Sequence, residues 1–154
     1  MGVVYNRAMR IALGADHAGV ALKDTIKRHL DGRGIAYTDF GTTGTDSVDY
    51  PDFAARVARQ VAGGDFERGL LFCGSGTGMA MAANKIPGIR AAAVFDARTA
   101  SLSREHNDAN ILALGERLVD EDVARRAVDA FLDTPFAGGR HAPRVAKIKA
   151  LDHS

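Results

Sequence analysis

Apolar residues along this chain occur in two textures. Short unbroken runs, such as Ile11-Ala12-Leu13, Leu70-Leu71-Phe72 and Ile111-Leu112-Ala113-Leu114, alternate with longer stretches where apolar residues recur every three or four positions. The runs predict strands at Arg10–Ala15, Gly69–Phe72, Ile89–Phe95 and Ile111–Gly115, and the alternating segment Ile35–Phe40 predicts another. Between them, Leu22, Ile26 and Leu30 form a helical stripe, with Lys23, Lys27 and Arg28 expected off it and Gly32 and Gly34 expected to stop the helix. Pro51 opens a helix that points Phe53, Ala54, Val57, Ala58 and Val61 inward, closed by Gly63-Gly64. Further helices are predicted over Met79–Asn84 and Ala97–Glu105. Asp120 caps another, which carries Val123, Ala124, Ala127, Val128, Phe131 and Leu132 on one face. After Gly138-Gly139 comes a basic tail helix with Val145, Ile148 and Leu151 apolar.

Strands that are continuously apolar and alternate with helices imply a parallel sheet covered on both faces. The expected fold is α/β: a three-layer αβα, Rossmann-like architecture with a five-stranded parallel sheet and a C-terminal helical tail. Residues 9–154 read as one domain, and residues 1–8 as an extension expected to be flexible. Ligands of such sheets bind beyond the carboxyl ends of the strands. Asp16-His17, the run Cys73–Gly78 and Asp96 all follow strands and are expected at that edge.

Composition narrows the function. The chain has 154 residues, 46% hydrophobic and 25% charged, with net charge +1. A balanced charge offers no nucleic-acid footprint, and no apolar stretch approaches a membrane span. One cysteine excludes an internal disulfide and a four-thiolate zinc site. A cytoplasmic protein is the default expectation.

That cysteine carries the chemistry. Cys73 ends an apolar strand and enters Gly74-Ser75-Gly76-Thr77-Gly78, after which a helix begins. Glycines let successive N–H groups converge on an anion, and a helix start adds positive potential. Both favour negative charge on sulfur and could hold an oxyanion. A lone cysteine ending a buried strand can also be a small hydrophobe; three glycines at alternate positions, which sacrifice backbone entropy without packing, favour a site. Familiar phosphate motifs fail here. Gly14–Gly19 has a P-loop glycine frame but continues Val20-Ala21 rather than lysine and Ser/Thr. Glycines at 74, 76 and 78 do not fit G-x-G-x-x-G, and a cysteine phosphatase needs arginine where Met79 stands.

Two other segments carry polar chemistry: Glu105-His106-Asn107-Asp108-Ala109-Asn110, and Gly138-Gly139-Arg140-His141-Ala142-Pro143-Arg144. Arg140 and Arg144 would share a helical face and could clamp a phosphate, although Pro143 disfavours helix at Ala142. A solvated surface histidine and a solvated basic tail are the plain alternatives.

Together with Met9–Gly19, Cys73–Gly78, Asp49-Tyr50-Pro51 and Ala82-Ala83-Asn84-Lys85, these segments resemble the type B ribose-5-phosphate isomerases, over about Met9 to Leu151. The family also includes galactose-6-phosphate and allose-6-phosphate isomerases. The resemblance implies an aldose–ketose isomerase of the pentose phosphate pathway that opens the sugar ring and moves a proton between C1 and C2 through an enediolate. It implies Cys73 as the base, and Ser75 with the N–H groups of Gly74, Gly76, Thr77 and Gly78 around the enediolate. His106 is implied as the ring-opening acid/base, Asn107 as a substrate partner, Asp16 at the sugar hydroxyls, and His17, Arg117, Arg140 and Arg144 at the phosphate. No cofactor or metal is implied, and the partners are a phosphorylated sugar and a second copy of the chain. Members are dimers or tetramers with shared sites, and the tail beyond Gly139 is the candidate for crossing to a neighbour. One subclass has glutamate in place of Met79 and glycine in place of Cys73, so this chain resembles the cysteine type. Alternatives are a hexose-6-phosphate isomerase with the same motifs, or a non-enzymatic nucleotide-binding module of universal-stress type.

Overall fold

A computed structural model of the protein describes residues 9–153; the extension expected at 1–8 lies outside them. Five strands, β1 (Arg10–Ala15), β2 (Ala36–Asp39), β3 (Arg68–Cys73), β4 (Ala91–Ala93) and β5 (Ile111–Gly115), form one sheet in the order β2-β1-β3-β5-β4. Every neighbouring pair is parallel. The helices are α1 (Val20–Arg33), α2 (Tyr50–Ala62), α3 (Thr77–Ala83), α4 (Ala97–Asn107), α5 (Glu121–Asp133) and α6 (Ala142–Ala150).

Strand periodicity divides the core into two layers. Ile11, Leu13, Leu70, Phe72, Leu112 and Leu114 pack with the apolar stripes of α1 and α5. Ala12, Leu71, Cys73, Ile111 and Ala113 face the opposite layer, built from α2 and α3. The expected αβα sandwich is therefore present. From β1 the chain crosses one face by α1 to reach β2, then returns over the other face by α2 to β3. Strand order reverses between β1 and β3, whose ends stay paired. The connections after them leave toward opposite faces, α1 to one and α3 to the other, opening a crevice.

Several boundaries differ from expectation. β4 keeps only three of its seven predicted residues. It is an edge strand with β5 as its one neighbour, and before it Arg90 turns aside to bond Asp108 and Asn110. α1 runs through Gly32 and ends at Gly34, whose φ of +68° suits the left-handed stop. Pro143 does not disrupt α6, because it occupies the first turn, where no N–H is required. Asp96 spends its carboxylate on the N–H and hydroxyl of Thr99, capping α4.

Lys23 departs furthest from its expected place. It is 0% exposed, and its Nζ donates to Asp39 Oδ1 at 2.8 Å and to the Thr42 carbonyl. Burial pushes the Asp39 carboxyl up, but hydrogen bonds from Lys23, the Gly41 N–H and Lys27 outweigh it and hold the group below its usual range. A carboxylate with a lowered folded value stabilises the fold above its unfolded value of about 3.9 and loses that contribution as pH falls through the folded value. Asp39→Asn is thus expected to lower the melting temperature at pH 6, with the gap to wild type closing below about pH 4. Thermal unfolding of both proteins across that range checks this; a gap independent of pH contradicts it.

Candidate active site

The crevice between β1 and β3 opens into a cleft of about 410 Å³. Asp16 and His17 reach it from the end of β1, Cys73, Ser75 and Gly78 from the end of β3, and Arg117 from the turn after β5. Each side chain has a local anchor. Asp16 is 7% exposed and accepts the Ala18 N–H at 3.0 Å, starting the short 3₁₀ turn before α1. The ring of His17 accepts the Val48 N–H on Nδ1 at 3.2 Å. Arg117 is drawn over the loop because its N–H donates to the Gly74 carbonyl at 3.1 Å and its guanidinium lies against the Gly74 Cα.

Cys73 sits where the glycines matter. Its Sγ is nearly buried and accepts the Gly76 N–H at 2.9 Å. Gly76 has φ +80°, the left-handed region that lets the chain fold back over the sulfur. Ser75 Oγ accepts the Thr77 N–H at 3.4 Å. The N–H groups at the start of α3 have no acceptor within their own helix, so they can serve an anion. A small thiol, a hydroxyl and convergent N–H donors thus line one end of the cleft, with Arg117 beside them.

The other candidate residues gather elsewhere. His106 and Asn107 end α4, immediately before β5 begins, so they lie at the amino edge of the sheet. Cys73 pairs with Gly115, at the opposite end of β5. Five residues of parallel strand separate the two edges, roughly 13 Å at about 3.3 Å per residue. At the amino edge the rings of His106 and His141 stack with centroids 4.2 Å apart and planes 15° from parallel. Desolvation, the nearby His106 and the cations Arg140 and Arg144 all lower the His141 pKa. Arg104 fixes this corner by donating to Asp108, the Ala109 carbonyl and the Thr134 carbonyl. The Ala137 N–H is bound to the Glu105 carbonyl, which brings the 138–144 segment onto His106. Asn107 lines a separate cavity of about 450 Å³ with Arg90, Ile148 and Leu151.

Residues 11–148 match the family described as Ribose/Galactose Isomerase. The chain belongs to that family. It is 46% identical over 143 residues to ribose-5-phosphate isomerase B of Escherichia coli strain K12, covering 93% of this chain and 96% of the other. The solved ribose-5-phosphate isomerase B of Clostridium thermocellum superposes with a TM-score of 0.92 at 52% identity, over 94% of this chain and 98% of that one. The Mycoplasma genitalium enzyme, solved with bound ribulose-5-phosphate, superposes with a TM-score of 0.92 at 40% identity, over 97% and 99% of the two chains.

Within this family framework, one protomer brings Asp16, His17, Cys73, Gly74, Ser75, Gly76, Thr77, Gly78 and Arg117 to the carboxyl edge. It does not bring His106, Asn107, Arg140 or Arg144 there. Three lining residues, Ala18, Tyr50 and Leu118, have no role expected from sequence. Of these Tyr50, the first residue of α2, has a ring that covers Gly78 so closely that a Cβ there would lie 2.6 Å from Tyr50 Cζ. The Asp49-Tyr50-Pro51 run was the available signal. No described helix is long and apolar enough to cross a membrane.

Proposed function

We propose that the protein interconverts D-ribose 5-phosphate and D-ribulose 5-phosphate, with Cys73 as the proton-transferring base, in sites assembled from two protomers. The observation that carries the reading is the Cys73 loop: a buried sulfur already accepting a backbone N–H, beside a hydroxyl and the N–H groups of a helix start, at the switch point of the sheet. An aldose becomes a ketose when its C2 proton is removed and that electron pair forms the C1–C2 double bond while the C1 carbonyl π pair moves onto O1. The O2 hydroxyl then passes its proton to O1 and becomes the new carbonyl, and the C1–C2 pair takes the carried proton at C1. Cys73 Sγ carries that proton. Charge on the enediolate oxygens falls to Ser75 and the N–H groups through Gly78, fixed before the reaction begins. Asp16 hydrogen-bonds sugar hydroxyls, and a cis carboxylate at that place is compatible with its anchoring in the turn.

Ring opening needs an acid/base, and the phosphate needs cations. His106, with Asn107, fits the first task, and Arg140 and Arg144 join His17 and Arg117 in the second. Because His106 and the two tail arginines sit at the amino edge, they would come from a second protomer that lays its amino edge against the first protomer's cleft.

Mixing tests both halves at once. Cys73→Ala and His106→Ala homo-oligomers are each expected to be nearly inactive, and co-refolding them should restore activity toward about a quarter of wild type, because random pairing of dimers leaves one intact site in half of them. No recovery with confirmed subunit exchange would mean that each site lies within one chain. Turnover of ribose 5-phosphate against allose 6-phosphate and galactose 6-phosphate, on purified protein, ranks the substrates; faster turnover of either hexose phosphate would replace the pentose reading.

A further inference from the structure

We propose that Lys23 is a positioning residue of the cleft: with Asp39 it pins the 40–48 segment to the end of β1 and thereby holds His17 in one orientation. The proposal rests on His17 being a substrate contact, as above.

Lysine is a compact, strongly hydrated cation, and a fully buried one needs its hydrogen bonds met within the protein. Lys23 meets them on groups that belong to one segment, the Asp39 carboxylate and the Thr42 carbonyl. Asp39 in turn takes the Gly41 N–H at 2.9 Å on the oxygen that Lys23 uses, and Lys27 at 3.1 Å on the other. So held, the segment extends the pairing with β1 beyond the end of β2. The Phe40 N–H donates to the Leu13 carbonyl at 2.9 Å, the Ala15 N–H to the Gly41 carbonyl at 2.6 Å, and the Thr42 N–H to the Ala15 carbonyl at 2.6 Å. Ala15 immediately precedes Asp16 and His17. Six residues after Thr42 the same segment returns to the cleft, where the Val48 N–H meets His17 Nδ1.

The last bond has a chemical consequence. A nitrogen that accepts a hydrogen bond carries no proton, so the neutral His17 ring keeps its proton on Nε2. The cleft-lining ring therefore offers an Nε2–H donor of fixed direction to a substrate oxygen. Apolar residues can replace a buried ion pair without loss of stability, but they cannot hold the Thr42 carbonyl or the Gly41 N–H. That difference separates a positioning role from a purely structural one.

The test compares wild type, His17→Ala, the double variant Lys23→Met with Asp39→Leu, and Val48→Pro. Each is assayed with ribose 5-phosphate, its melting temperature is measured, and long-range ¹H–¹⁵N spectra of the histidine rings are recorded where His17 is present. The double variant is expected to fold with a lowered melting temperature, since the Thr42 carbonyl and the Gly41 N–H lose their partners. It should raise KM about tenfold, the scale of one lost hydrogen bond to a charged group, with kcat changed much less. Its His17 signal should lose the single Nε2–H pattern that wild type shows. A double variant with wild-type KM and wild-type His17 tautomer overturns the proposal, as does a wild-type His17 that carries its proton on Nδ1. If the double variant does not fold, Val48→Pro, which removes the donor and leaves the buried pair intact, should raise KM in the same way, and an unchanged KM overturns the proposal. An unchanged KM in His17→Ala instead removes His17 from the substrate site, so that failure of the site reading is distinguishable from failure of the Lys23 role.

Discussion

Cys73→Ala is expected to lower kcat for ribose 5-phosphate by about 10²–10⁴-fold, the range a positioned general base supplies. Ribulose 5-phosphate should still bind within a few-fold of wild type by calorimetry. The two effects separate because the proposed mechanism asks Sγ only to carry a proton. In the proposed reading binding draws on the cleft residues Asp16, His17 and Arg117, which alanine at 73 leaves in place. The same substitution leaves the Gly76 N–H without its sulfur acceptor, at a cost of about 1–3 kcal/mol if that donor stays dry. A melting curve must therefore accompany the assay, so that lost turnover is not mistaken for lost fold. Near wild-type kcat in a folded Cys73→Ala protein would remove the cysteine from the chemistry.

The second large effect is expected from a residue that touches no substrate. Gly115 ends β5 directly behind the cysteine loop, and a Cβ built on it would lie 2.6 Å from both Cα and the carbonyl carbon of Ser75. Those are backbone atoms, so the clash cannot be relieved by turning a side chain. The loop must move, and neighbouring bonds oppose that: the Glu116 N–H donates to the Cys73 carbonyl at 2.8 Å and the Arg117 N–H to the Gly74 carbonyl at 3.1 Å. Gly115→Ala should therefore cost about 1–3 kcal/mol of stability as an overpacked site. Displacing Ser75 by even an ångström should also lower kcat by about 10²-fold. Steady-state kinetics and a melting curve on the one variant measure both, and an alanine variant with wild-type kcat would show that the loop tolerates displacement.

The two halves of the candidate site were unequally legible in the sequence. Asp16, His17 and the Cys73–Gly78 loop could be placed because each follows a strand directly, and parallel strands deliver their ends to one edge. His106 follows a helix instead. A helix in a βαβ unit runs back antiparallel to its strands, so its last residues reach the opposite edge, and α4 ends at Asn107. Tyr50 gave a weaker signal, since an aromatic residue before proline at a helix start is equally a packing residue.

Lys23 illustrates a different limit. Its neighbours Leu22 and Ile26 mark the buried stripe, and a cation beside such a stripe reads as solvent-facing. Nothing local indicates that Asp39, sixteen residues away, and the Thr42 carbonyl meet it in the interior. Arg104 is similar: it is 5% exposed because three carbonyl or carboxylate partners from two other segments converge on it.

By itself, then, the sequence determined the layers, the parallel sheet and the cysteine loop, because apolar run length and glycine spacing are local quantities that fix backbone conformation directly. Only the tertiary structure decided which buried charges pair, that β4 shortens to a three-residue edge, and that His106, Arg140 and Arg144 stand a strand's length away from Cys73. Those outcomes depend on contacts between residues far apart in the chain, and on the direction in which each helix returns across the sheet.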